Sequence, residues 1–154
     1  MPTDIAVNQD PVVLTAAGRA WLEARRDRAV ERRDRINDEL RNERTEELIT
    51  ERGQLETQIH ELDVLLRDAV APADVIDDPS VIEIGDSVEV EFPDRSRETF
   101  LIVHPVEAGM DDDRTSADSP VARAVLGQRP GERVTITTPA GAYHATILRR
   151  DRIG

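Results

Sequence analysis

Acidic side chains are concentrated in one short stretch of the sequence, DELRNERTEE at residues 38–47. Arg41 and Arg44 interrupt five carboxylates there: Asp38, Glu39, Glu43, Glu46 and Glu47. Carboxylate oxygens are the hard ligands that Mg²⁺ prefers, so the stretch is a candidate for metal chemistry. The composition is equally typical of the solvated turn of a helical hairpin, where acids at the start of the second helix interact favourably with its dipole. The residue types alone leave both interpretations open.

Other residues with metal-binding or catalytic chemistry are scattered along the chain. His60, His104 and His144 do not have the spacing of paired ligands on a helix or strand. Asp111–Asp113 lack the glycine and spaced acids of a calcium loop. The sequence has no cysteine and no glycine-rich phosphate loop, which excludes disulfides and cysteine-bound zinc. We predict no intrinsic metal site.

Composition and charge narrow the class of partner. The 154 residues carry a net charge of −12, whereas contact with the phosphates of DNA requires a positive surface. An acidic protein instead suits a basic partner surface or a site rich in metal cations. No apolar run approaches the ~20 residues that span a bilayer, and the N-terminus lacks the pattern of a signal peptide. We expect a cytoplasmic protein that binds neither DNA directly nor a membrane.

Residues 15–70 have the apolar period of two helices that pack against each other. Because the other faces are charged, the narrow stripe can be buried only against a partner of the same kind, which predicts an antiparallel coiled-coil hairpin. Its turn falls near residues 41–45, with Asn42 or Thr45 capping the second helix and Thr15 capping the first. The acidic stretch is therefore the hairpin tip. The seam positions are Leu22, Arg26, Ala29, Arg33, Ile36, Leu40, Leu48, Arg52, Leu55, Ile59, Leu62, Leu66 and Ala69.

The pattern changes in the second half. Residues 1–14 are assigned to an N-terminal extension, 71–78 to a linker and 79–154 to a second domain. VIEIGDSVEVEF, RETFLIV, RVTITT and AGAYHATILR alternate as strands do, and SPVARAVLG predicts a short helix capped by Ser119 with Pro120 in its first turn. PVEAGMDDDRTSADS is expected to be a mobile acidic loop. The fold class is α+β: a helical hairpin plus an antiparallel sheet domain with one short helix.

Three stretches resemble a known family. LTAAGRAWLEA at residues 14–24, DVID at 74–77 and SPVARAVLGQRPGERVTITTPAGAYHATIL at 119–148 are similar to the Gre factors of bacterial RNA polymerase, GreA, GreB and relatives such as Rnk. The resemblance implies that the second domain is FKBP-like. It also implies one partner, RNA polymerase, bound by a monomer at the β′-subunit rim of the secondary channel. The matching docking stretch is Ser119, Pro120, Val121, Ala122 and Arg123.

In that family the hairpin tip approaches the catalytic Mg²⁺, and an Asp-Leu-x-Glu-Asn motif supplies two carboxylates for transcript cleavage. That motif is absent from the hairpin of this chain. The resemblance therefore implies a divergent, non-cleaving member that is not an enzyme and has no cofactor of its own, and it leaves open a contact between the tip and the polymerase Mg²⁺. The residues implied near the polymerase active site are Asp38, Glu39, Glu43, Arg44, Glu46 and Glu47.

Four functions compete at this point. The first is a regulator that binds in the channel and inhibits or modulates RNA synthesis without cleavage, and the alternative is a Gre-type cleavage factor that rescues backtracked polymerase. The third, a peptidyl-prolyl isomerase, lacks the aromatic residues of such a pocket, and fold alone does not carry that activity. The fourth, a coiled-coil protein unrelated to transcription, leaves the match at residues 119–148 unexplained. We favour the first.

Overall fold

The computed structural model describes residues 12–75 and 78–152. The chain divides into two compact units. One is the helical unit, Ala17–Ala69, and the other is the sheet unit, which comprises residues 12–16 and 70–152 of the described chain. Neither long helix, nor any other helical segment within the described ranges, has an apolar stretch that would let it traverse a bilayer.

Two helices make up the helical unit, α1 over Ala16–Asn42 and α2 over Glu46–Asp68. Their antiparallel pairing follows from the bonds between them, because Arg19 reaches the carbonyl of Leu66 at 3.1 Å whereas Arg32 reaches Glu51 at 2.8 Å. The predicted seam is buried at these positions: Leu22, Ala29, Ile36, Leu40, Ile59 and Leu62. The hairpin prediction is confirmed.

Arginines on the seam keep their charged heads at the surface of the helical unit. Arg26 pairs with Asp63 and Asp27, and Arg33 pairs with Asp34 at 3.0 Å. Arg52 instead donates to the side-chain oxygen of Asn37 at 3.3 Å. Each guanidinium has a polar partner, as expected of a long amphipathic side chain at a seam position.

Five strands form one sheet in the order β3-β2-β1-β5-β4. The strands are β1 Asp86–Glu91, β2 Arg97–Val103, β3 Arg114–Ser116, β4 Arg133–Thr138 and β5 Gly141–Arg152, and α3 spans Pro120–Val125. Alternating residues such as Val88, Val90, Ile102, Ile136 and Ile147 form the core, with Ala122 and Val125 of α3 packed on it. The predicted α+β class is confirmed.

Two details of the sheet differ from the sequence prediction. Strand β1 begins at Asp86 and not near residue 81, because Gly85 has a φ of 100° and Asp86 closes a turn by accepting from the Glu83 N–H at 2.9 Å. The sheet is mixed, since β3 pairs in parallel with β2. Residues 104–113 carry the chain back along the sheet edge, so β3 runs in the same direction as β2. The stretch predicted as a mobile loop therefore contains a strand and a 3₁₀ turn at Pro105–Glu107.

The start of the described chain is part of the sheet unit. Val13 forms a parallel bridge with Val70, the Leu14 N–H donates to the Val70 carbonyl at 3.0 Å, and both Val13 and Leu14 are buried. Residues 12–14, assigned from sequence to an extension, are thus held by pairing, while residues 1–11 lie outside the described chain. The predicted domain boundaries remain a prediction, because compactness alone does not measure independent folding.

Candidate functional site

The backbone of the hairpin tip is defined by the end of one helix and the cap of the next. Helix α1 ends at Asn42, and the Glu43 N–H still donates to the Glu39 carbonyl at 3.0 Å. Thr45 has extended φ and ψ, and its hydroxyl accepts from the Leu48 N–H at 3.2 Å, so Thr45 and not Asn42 caps α2. Glu46 and Glu47 then lie in the first turn of α2, where the helix dipole favours negative charge.

All six residues of the tip cluster, defined as Asp38, Glu39, Glu43, Arg44, Glu46 and Glu47, are exposed. Two of its acids are partly neutralised, Asp38 by Arg41 at 3.1 Å and Glu39 by Arg32 at 3.7 Å. Within the described chain no ion pair reaches the other three, Glu43, Glu46 and Glu47. The tip therefore presents unpaired carboxylates directly to solvent.

The geometry of the tip does not fit a preformed metal site. Among the described residues no group of three or more His, Cys, Asp or Glu side chains comes together closely enough to hold a metal ion. Glu46 and Glu47 border one open groove together with Glu51, but the Glu51 carboxylate is already engaged by Arg32. Family resemblance implies Mg²⁺ chemistry at this position, but the residues present do not form its ligand set. They supply negative charge.

Next to the tip cluster lies a cross-helix ion pair. Arg32 donates to both carboxylate oxygens of Glu51, at 2.8 and 2.9 Å. These hydrogen bonds lower the pKa of Glu51 and raise the pKa of Arg32. Glu51 is thus engaged within the hairpin, unlike its neighbours Glu46 and Glu47.

The docking stretch begins at the N-terminus of α3. The Ser119 hydroxyl accepts from the Ala122 N–H at 3.2 Å, which confirms Ser119 as the cap. Pro120 and Arg123 are exposed and Val121 is half-buried against the core. Ala122 is 0% exposed. As a correction to the predicted contact set, Ala122 supports the helix from inside and has no surface to offer a partner. Docking itself stays a prediction for the remaining four residues.

A buried acid that sequence reasoning missed lies close to the docking stretch in sequence. Glu107 is 0% exposed, and its carboxylate accepts from the Thr15 N–H at 2.8 Å and from the Thr15 hydroxyl at 2.7 Å. Arg114, the first residue of β3, approaches the same carboxylate at 3.5 Å. Burial lowers the pKa of nearby His104, and Glu107 and Asp118 oppose that shift. The one sequence signal was that Glu107 is flanked by apolar residues, unlike the other acids of its loop.

The sequence matches one known protein family. The family model described as "Transcription elongation factor, GreA/GreB, C-term" matches residues 77–149. Transcription elongation factor GreA of Chloroflexus aggregans is 34% identical over 159 residues, which cover 93% of this chain and 99% of that protein. GreA of Geobacillus kaustophilus is 36% identical over 99 residues, which cover 64% of this chain and 63% of that protein.

A solved structure is also similar, the crystal structure of GreA factor homolog 1 (Gfh1) of Thermus thermophilus. Its sequence is 27% identical, the alignment covers 92% of this chain and 99% of that one, and the TM-score is 0.41.

The relatives that match over nearly the whole chain are Gre-type proteins, and this places the chain in that class. The chain belongs to the GreA/GreB family of transcription elongation factors. The match to the Geobacillus kaustophilus relative spans 63% of that relative's length, just under two thirds.

Proposed function

We propose that this protein is a regulator that binds bacterial RNA polymerase at the secondary channel and modulates RNA synthesis without stimulating transcript cleavage. Family membership supports the polymerase as partner. The observation that carries the non-cleaving part is the tip: its carboxylates are exposed, arginines lie between them, and the described residues contain no clustered ligand set.

The proposed mechanism is electrostatic. Glu43, Glu46 and Glu47 bring unpaired negative charge to the tip, and charge is screened less in a confined channel than in bulk water. Repulsion of nucleotide phosphates, or competition for Mg²⁺, needs only that charge. Two-metal cleavage needs more, because its ligands must be held to within about 0.5 Å. Exposed glutamates on a solvated turn do not meet that requirement.

The alternative function is a Gre-type factor that rescues backtracked polymerase by cleavage. One observation favours it: the relatives that match over nearly the whole chain are named transcription elongation factors. The two functions differ in what the tip acids do, so one variant separates them.

The deciding experiment changes Glu43, Glu46 and Glu47 to Gln together. We expect the wild-type protein to slow RNA synthesis by polymerase, most strongly at low nucleotide concentration, and the triple variant to lose that effect while its affinity for polymerase stays largely intact. The reason is that the variant removes three charges and leaves the shape of the tip unchanged. A matched control changes Glu23, Glu56 and Glu61 to Gln, since these are exposed acids of the same hairpin without an ion pair in the described chain. The control should remain inhibitory.

Mg²⁺-dependent cleavage of backtracked RNA by the wild type, abolished in the tip variant and retained in the control, would establish the cleavage factor instead. Absence of any binding to polymerase would reject both functions.

Docking is tested separately. Replacing Pro120 and Arg123 together should weaken binding to polymerase without unfolding the sheet unit, because both side chains are exposed and neither belongs to the core. Binding is measured by titration of polymerase and folding by thermal melting. Unchanged affinity together with an unchanged melt would remove the docking stretch from the interface.

A further inference from the structure

An open groove of about 480 Å³ lies at one end of the sheet in the sheet unit. The register of three strands places its lining residues side by side. Arg133 of β4 pairs with Thr146 of β5, and Thr146 pairs with Glu91 of β1. The turn after β1 forms its wall with Phe92 and Pro93, and Arg95 projects from that turn. None of these residues belongs to the docking stretch or the tip cluster.

Two arginines that line the groove have no carboxylate partner within the described part of the sheet unit. Residues 70–152 contain nine arginines and sixteen acids, so acids are in excess. Six of the nine arginines have a carboxylate within 4.0 Å. The other three, Arg95, Arg123 and Arg133, make no ion pair in the described part of the chain, and two of them line this groove. Glu91, the acid beside them, is already paired with Arg97 at 3.3 Å.

The turn that presents Arg95 is held rigidly. Arg95 has a φ of 72°, a left-handed conformation that glycine adopts more readily than arginine. Two bonds fix the turn: the Arg95 N–H donates to the Phe92 carbonyl at 2.9 Å, and the Asp94 carboxylate accepts from the Ser96 N–H at 2.9 Å. A left-handed third residue is the usual geometry of a three-residue hairpin loop, here residues 93–95. Arg95 therefore lines the groove from a hydrogen-bonded turn.

We propose that this groove binds an acidic segment of a partner protein, with Arg95 and Arg133 each receiving a carboxylate. A planar guanidinium matches a carboxylate with two parallel hydrogen bonds. His144, also in the groove and 3.2 Å from the Thr135 hydroxyl, adds a polar contact, and Phe92 offers an apolar wall for the stems of the incoming side chains.

A nucleic acid fits the groove less well. Its backbone carries a continuous line of charge, and the acid excess of the surrounding unit repels a long polyanion. A short acidic segment brings fewer charges to the unit than a nucleic acid does, and two of its carboxylates can pair with Arg95 and Arg133. The site is thus one for protein carboxylates, and it goes beyond the polymerase function proposed above.

The experiment titrates the isotope-labelled full chain with an acetylated and amidated peptide of sequence Glu-Leu-Asp-Glu-Leu-Asp and follows amide resonances by NMR. We expect shifts at Arg95, Arg133 and Thr146 that weaken as salt is added, and none with the neutral peptide Gln-Leu-Asn-Gln-Leu-Asn. The variant with Arg95→Gly and Arg133→Glu should lose at least about tenfold in affinity, because it removes both charge contacts. Glycine suits the backbone conformation at residue 95, so that loss would not come from a misfolded turn.

The charge-matched control carries Arg129→Gln and Arg149→Glu, at two exposed arginines that already pair with Asp78 and Asp151. It should bind the acidic peptide as the wild type does. An equal response to inorganic phosphate or to a thymidine oligonucleotide would overturn the proposal, as would shifts elsewhere on the surface or an equal loss in the control.

Discussion

Carboxylates serve opposite purposes in the two units of this molecule. In the sheet unit, Glu107 is completely buried and accepts from Thr15 twice, at 2.8 and 2.7 Å. Asp86 is 1% exposed and receives Arg152 at 2.9 and 3.1 Å. In the helical unit, Glu43, Glu46 and Glu47 are exposed and have no ion pair within the described ranges.

The difference shows which acids are available for function. A buried charge must be surrounded by donors, so its whole bonding capacity is used by the fold. An exposed and unpaired acid contributes little to stability, so it can be retained or changed according to what it does to a partner. By this criterion Glu43, Glu46 and Glu47 are free to act outward, and Glu107 and Asp86 are structural.

The largest expected effect is that of Glu107→Ala. This change removes a carboxylate that satisfies a buried N–H and a buried hydroxyl, and it takes one partner from Arg114. We expect the free energy of unfolding to fall by about 3 kcal/mol, as when one partner of a buried charged network is lost. Chemical denaturation monitored on the sheet unit measures it.

The control for that experiment is an exposed acid of the same sheet unit. Glu98, exposed on β2 and without an ion pair in the described chain, should change the free energy of unfolding by only about 0.5 kcal/mol or less when replaced by Ala. A loss at Glu107 no larger than that at Glu98 would contradict the division into structural and available acids.

Sequence predicted the hairpin well because its signal is local. The apolar seam repeats within each helix. The Thr45 hydroxyl accepts a hydrogen bond from the Leu48 N–H, which is only three residues further along the chain. The exposure of the charged tip could be predicted in the same way, because an acidic stretch between two amphipathic helices has no apolar surface next to it. Position and exposure of the tip cluster therefore followed from period alone.

In the sheet unit the sequence prediction failed where the environment of a residue depends on long-range contacts. Glu107 is buried by Thr15, which lies 92 positions away, and no local pattern announces that contact. Strand β3 has only three residues, too few to show alternation. Ala122 was predicted to contact a partner, but a helix of six residues gives no period from which its buried face could be read. Each failure concerns a residue whose environment is set by distant parts of the chain.

A smaller effect is expected at Glu51, whose carboxylate is neither fully buried like Glu107 nor unpaired like the acids of the tip. Its carboxylate is partly exposed, and hydrogen bonds from Arg32 lower its pKa in the folded hairpin. A group with a depressed folded pKa contributes stability above its unfolded pKa, and that contribution disappears as the pH falls through the folded value. Glu51→Gln should therefore lower the melting temperature of the hairpin slightly at neutral pH and not at all once the carboxylate is protonated.

Thermal melting followed by helical circular dichroism, at neutral pH and again well below the ordinary range of a glutamate pKa, makes the measurement. Glu56→Gln is the matched control, because Glu56 is an exposed acid on the same helix with no ion pair among the described residues. It should melt like the wild type at both pH values. If the Glu51 difference persisted in acid, it would come from helix propensity or packing and not from the ion pair. Glu51 would then be grouped with the unpaired acids of the tip and not with the structural carboxylates.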